Sequence, residues 1–110
     1  MSKIKVKVSK RMASELNEAL KENYCIESIY YAESSREYYE RNVRSFYYDH
    51  YNLDYDYNKN KYKFLVVEYK DDCFAMNKYI TTYDLQNILK YNNVSEFSEF
   101  VECLKREIEI

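Results

Sequence analysis

General acid–base catalysis near neutral pH falls most often to histidine, and this chain of 110 residues has one, His50, beside Asp49. Neighbours in an extended segment point to opposite faces, so the two cannot act on one atom there. No nucleophile is placed beside them, and we assign no catalytic residue. A second candidate is Asp54-Tyr55-Asp56-Tyr57-Asn58, which matches the first three ligand positions of a calcium loop. The match then stops. Lys59 stands where the loop's sharp turn needs glycine, and Leu65 where a bidentate glutamate belongs. Cys25, Cys73 and Cys103 are odd in number and far apart, with neither C-x-x-C nor metal-finger spacing. They read as small semi-buried hydrophobes in a reducing compartment. No metal and no cofactor is expected.

What is missing excludes more. Ordinary usage would place about a dozen glycines and prolines in a chain this long, and there are none of either. Phosphate loops need glycine for close backbone approach to an anion, so the P-loop, the dinucleotide fingerprint and the kinase glycine loop are excluded. The nucleophile elbow goes with them. Left-handed turn positions must then fall to asparagine or aspartate. Scarce Gly, Pro and Trp with abundant Lys, Asn, Tyr and Ile also fit an AT-rich coding sequence.

These groups are positioned by short, strongly patterned elements. Lys3 to Val8 alternates charged and apolar residues, the period of a half-buried strand and not of a signal-peptide core. Ser9 then caps a helix over Ser9–Glu22, with Asn23 as a left-handed stop. Tyr24 to Ala32 fits helix or strand, and its Ile and Tyr density favours the strand. Ser34 with Glu37 forms a capping box ahead of a helix over Ser35–Tyr48. Tyr51 to Tyr57 alternates with Asn52, Asp54 and Asp56, Asn58 to Lys61 turns, and Tyr62 to Val67 returns as a hairpin. Asp71-Asp72 turns into a third strand near Cys73 to Ile80, completing a meander. Thr81 or Thr82 caps a short helix, and Ser95 caps the last, over Ser95–Ile108. The fold class is α+β, a mostly antiparallel sheet from Tyr51 to Ile80 flanked by three or four helices in one domain. Ile4, Val6, Leu16, Leu20, Val43, Phe46, Phe64, Val66, Leu85, Leu89, Phe100, Val101 and Leu104 should be buried. No run is long and apolar enough for a membrane span, and we expect a cytoplasmic protein.

Charge and aromatic content then define the surface. The net charge is −2, but residues 1–23 carry +3 and residues 71–110 carry −4. Fifteen tyrosines are more than a domain of this size can bury with every hydroxyl paired, so some must face outward as rigid amphipathic anchors. We expect no enzyme but a protein-binding surface made of Tyr51, Asp54, Tyr55, Asp56 and Tyr57, joined by Glu96, Glu99 and Glu102 of the last helix. Carboxylates among aromatics complement a basic groove built for phosphates.

Two resemblances bear on function. Lys3 to Glu22, about a fifth of the chain, resembles the opening of ribbon-helix-helix repressors and antitoxins, where a strand of alternate polar residues feeds a helix with a capping serine. That resemblance implies a dimer whose Lys3, Lys5 and Lys7 enter the DNA major groove. In size, composition and lack of any catalytic signature, the whole chain resembles the small inhibitors that phages and mobile elements use against bacterial immunity, anti-CRISPR proteins among them. This second resemblance implies an inhibitor that binds a nucleic-acid-processing effector complex by protein contact. It is the leading expectation; direct DNA binding is the alternative.

Overall fold

The computed structural model describes residues 4–44 and 53–109. The elements, in chain order, are α1 (Lys10–Ala19), β1 (Ile26–Ser34), α2 (Arg36–Asn42), β2 (Tyr55–Asp56), β3 (Lys61–Tyr69), a 3-10 turn (Asp71–Cys73), β4 (Lys78–Ile80), α3 (Thr82–Asn92) and α4 (Phe97–Ile108). Among the described residues, four helices around a four-stranded antiparallel sheet make this an α+β domain.

The sheet is organised by β3, whose near-continuous apolar run suits a strand buried on both faces. Leu65, Val67 and Tyr69 face the main core with Met12, Leu16 and Leu20 of α1, Leu85 of α3 and Phe100 and Leu104 of α4. Tyr62, Phe64 and Val66 face the other way and are covered by Tyr39 of α2. The tyrosine rings of Tyr39 and Tyr62 stack at 4.7 Å. Tyr24 to Ala32 does supply a strand: β1 pairs antiparallel with β3 from Ile26↔Tyr69 to Ser34↔Tyr62, with a bulge at residue 27. Because β1 fills one edge of β3, the short β2 and β4 share the other edge. The expected meander, with β3 between them, is therefore corrected. The outer edge of β1 is partly closed, since Ile29 N–H donates to Asn17 Oδ1 at 2.9 Å, which leaves fewer free groups for unwanted pairing.

The helices begin close to where their capping residues place them. Ser9 Oγ accepts from Met12 N–H at 3.0 Å to start α1. Thr81 and Asp84 form a reciprocal capping box at the start of α3, and Asn93 ends that helix at φ 50°. Several starts and stops differ from the sequence reading. Helix α1 ends at Ala19, with Leu20 as its cap, and not at Glu22. Ser35, not Ser34, caps α2, because Ser34 remains in β1 and turns its hydroxyl toward Ser35 O. Glu96, not Ser95, caps α4, without a side-chain bond. Asn23 is not left-handed; its Oδ1 instead accepts from Cys25 N–H in a tight turn. Left-handed backbone falls to Asn60, Asn93 and, against expectation, Phe74.

The expected strand at Lys3 to Val8 does not form over the described residues 4–8. The alternation is still used: Val6 and Val8 are buried, and Lys5 and Lys7 are exposed. The Val8 amide is taken by Thr82 Oγ1 at 2.9 Å instead of a strand partner. Helix α2 ends at Asn42, where Val43 and Arg44 both donate to Tyr39 O. The remainder of the expected helix, Ser45 to Tyr48 with Phe46, lies outside the described residues, as do Lys3, His50 and Tyr51. Of the expected core, Ile4 and Val43 are half-buried and the other described members are buried.

Candidate functional site

The residues expected to form one acidic, aromatic surface are not used alike. Asp54 is 4% exposed. Pairing of β2 begins only at Tyr55↔Tyr62, so residues 53 and 54 form a turn and the Asp54 side chain swings inward. Its Oδ2 accepts from Thr82 N–H at 2.8 Å, its Oδ1 accepts from the Thr82 hydroxyl, and its backbone oxygen accepts from Lys63 N–H. Thr82 in turn holds Val8. Asp54 therefore joins the N-terminal segment, the hairpin and the start of α3, and it is withdrawn from the contact surface. A carboxyl buried in this way needs bonds on both oxygens, which the Thr82 hydroxyl and the Thr82 amide supply.

The rest of that surface is divided between two elements. Tyr55 and Asp56 are half-buried, Tyr55 packing edge-on against Tyr57 at 4.6 Å. Asp56 Oδ1 accepts from Asn58 and Lys59 amides and so builds the turn. Tyr57 is 80% exposed. Glu96, Glu99 and Glu102 are exposed on α4, a helix that packs against α3. These acids thus belong to two different elements, the hairpin and the last helix with its cap.

A different turn carries the stronger signal. After β3, Cys73 N–H donates to Lys70 O at 3.0 Å and Phe74 N–H to Asp71 O at 3.3 Å, which closes the 3-10 turn. Phe74 caps it at φ 53° and ψ 37°, a conformation that costs a bulky residue about 1–2 kcal/mol. Its ring is 94% exposed and Met76 is 90% exposed. The turn is braced beneath. Tyr24 OH donates to Asp72 Oδ2 at 2.9 Å, and Lys70 Nζ lies 5.4 Å from the Tyr24 ring centroid. The bond to Asp72 and its negative charge raise the Tyr24 phenol above its ordinary range. Phe74 and Met76 thus form an exposed apolar knuckle that follows Asp71 and Asp72. Beside it runs an open groove of about 1010 Å³ whose walls include Glu27, Arg41, Glu68, Lys70 and Met76.

Sequence reasoning missed these two residues because it placed Cys73 to Ile80 in a strand, where Phe74 and Met76 would share one face with Lys78. The available signal was the Asp71-Asp72 turn itself. With no glycine in the chain, the left-handed residue that ends such a turn has to carry a side chain.

A basic cluster lies elsewhere. Lys7, Lys10, Lys59 and Lys63 line a depression of about 320 Å³ with Tyr31 and Glu33. Lys59 pairs with Glu33 at 3.3 Å, and Tyr31 OH donates to the same carboxylate at 2.6 Å. That hydroxyl bond, with help from Lys59, lowers the Glu33 carboxyl below its usual range. Lys5 is exposed on the adjoining segment.

Among the described residues, no group of three His, Cys, Asp or Glu side chains could hold a metal ion. No helix among them is long and apolar enough to cross a membrane. No protein-family model, curated protein or solved structure matches the chain.

Proposed function

We propose that the chain is a small protein-binding inhibitor of the anti-CRISPR type, acting on a nucleic-acid-processing effector complex and docking through the Phe74–Met76 knuckle. One observation carries the reading: a large aromatic side chain is held almost fully in water on a strained left-handed residue. Strain of this kind persists where surrounding structure enforces it and tends to mark functional positions. Burying a Phe or Met side chain in a partner pocket returns about 1.5–3 kcal/mol each. Asp71 and Asp72 favour a pocket with a basic rim, as in a groove built for phosphates, and residues 71–110 carry −4 to steer the encounter. The protein binds its target and catalyses nothing.

The test uses the tagged full chain in bacterial lysate, with and without nuclease treatment. The reading expects recovery of a nuclease complex under both conditions, slower DNA cleavage by that complex when the chain is added, and loss of both effects in Phe74→Asp/Met76→Asp. Equal recovery by the double variant would overturn the choice of surface.

A second reading has its own observation in the Lys7, Lys10, Lys59 and Lys63 cluster, which suits a phosphate backbone. In it the chain is a dimeric DNA-binding regulator, with Lys5 and Lys7 on a segment that pairs with a second copy. Recovery of DNA alone, lost on nuclease treatment, favours this reading, as does affinity for duplex DNA that falls with salt by about 0.9 log units per neutralised phosphate.

A further inference from the structure

The described cysteines are all free thiols, yet they are not equivalent. Cys103 is buried on α4, where Arg106 Nη2 reaches its sulfur at 3.4 Å. Cys25 and Cys73 are both half-buried, and they are close enough for Cys25 to perturb the Cys73 thiol. The backbone explains why. Cys25 extends the β1–β3 ladder by one step, its carbonyl accepting from Lys70 N–H at 2.8 Å. The 3-10 turn then folds back, with Cys73 N–H donating to Lys70 O at 3.0 Å. One residue, Lys70, therefore holds both cysteines, and the Tyr24–Asp72 hydrogen bond fixes the residues beside them. The Cys73 thiol donates to Asp72 Oδ1 at 3.7 Å, and contact with Cys25, burial and Asp72 push it up to about 12.

We infer that Cys25 and Cys73 form a reversible redox site that closes to an intramolecular disulfide when the chain meets a small-molecule disulfide. Cys25 is the attacking sulfur, because the Asp72 carboxylate that accepts from the Cys73 thiol disfavours a thiolate at Cys73. Its thiolate attacks one sulfur of the small disulfide, the S–S bond breaks, and the first small thiolate leaves and takes up a proton. Cys73 then gives its proton to solvent and attacks the Cys25 sulfur, expelling the second small thiol. Two cysteine thiols have been oxidised and one small disulfide reduced to two thiols, so electrons and protons balance. The new bond ties the first residue before β1 to the residue before Phe74, and so clamps the base of the knuckle.

The experiment treats the reduced full chain with oxidised glutathione and follows mass and peptide linkage. The expected product is about 2 Da lighter than the dithiol and has lost no Cys103 thiol. Its digest links the Cys25 and Cys73 peptides, and Cys103→Ser behaves identically. Closure in the folded chain should exceed that in urea-unfolded chain by about tenfold or more, because folding supplies the proximity. Cys25→Ser should instead stop at a glutathione adduct or remain unmodified. Stable glutathione adducts on the native chain, a linkage through Cys103, no reaction, or equal rates folded and unfolded would each overturn the inference.

Discussion

At the scale of single residues, the chain treats two side chains opposite to their type: it buries a carboxyl and exposes a phenylalanine. Asp54 has an acceptor role for each oxygen, so Asp54→Ala leaves Thr82 N–H and its hydroxyl without their partner. Losing hydrogen bonds to a buried carboxyl of this kind costs about 1.5–3 kcal/mol. Urea unfolding of Asp54→Ala should show a loss of that size, and a midpoint equal to the native chain's would contradict the placement. Phe74 predicts the reverse. Glycine removes the left-handed penalty, and an almost fully exposed ring has little burial to lose. Phe74→Gly should gain up to about 1 kcal/mol, offset in part by the entropy of the unfolded chain. A clear loss of stability would mean that the ring packs on the chain and is not held out for a partner.

At the scale of elements, capping chemistry and burial decide the boundaries more than periodicity does. Thr81 at the start of α3 accepts from Asp84 N–H, while the Asp84 carboxylate returns bonds to Thr81 and also pairs with Arg44 at 3.2 Å. Thr81→Ala should cost about 1 kcal/mol, read as a shift of the unfolding midpoint with unchanged slope. A neutral effect would show that the cap is satisfied some other way. The same logic shows what was legible in the sequence. The Ser9 and Thr81 caps and the apolar run from Tyr62 to Val67 are local signals, and each is used, whereas the left-handed stop expected at Asn23 does not form. Strand pairing depends on distant partners. Nothing near Asp54 in the sequence shows that it precedes the pairing at Tyr55 and that Thr82 takes its carboxyl, so the alternation alone places it on the contact surface. Nothing in Lys3 to Val8 shows that Thr82, 74 residues away, would take the Val8 amide. The knuckle was missed for a related reason: a 3-10 turn and a strand start both tolerate Asp-Asp, and only the fold separates them.

At the scale of the whole molecule, the tyrosines link stability to pH. Burial raises Tyr31 and Tyr69, with Glu33 adding to the first, and the bond to Tyr38 raises Tyr79 to about 12. The folded chain thus holds these protons more tightly than the unfolded chain, whose phenols titrate near 10. Their contribution is complete below about pH 10 and is lost as pH rises through the folded values. Urea midpoints should fall steadily above about pH 10; a constant midpoint up to about pH 12 would contradict the packing of these rings. Glu33 works in the opposite sense, its contribution being lost as pH falls through its lowered value. The charge distribution, with +3 over residues 1–23 and −4 over residues 71–110, also separates the two functional readings along the chain. The measurement that tests the central claim most directly places a photocrosslinking phenylalanine analogue singly at positions 74, 57 and 7 of the full chain. Irradiated in lysate, position 74 should yield one discrete adduct with a nuclease subunit, while positions 57 and 7 yield none. Adducts at 57 or 7 with nothing at 74 would contradict docking through the knuckle.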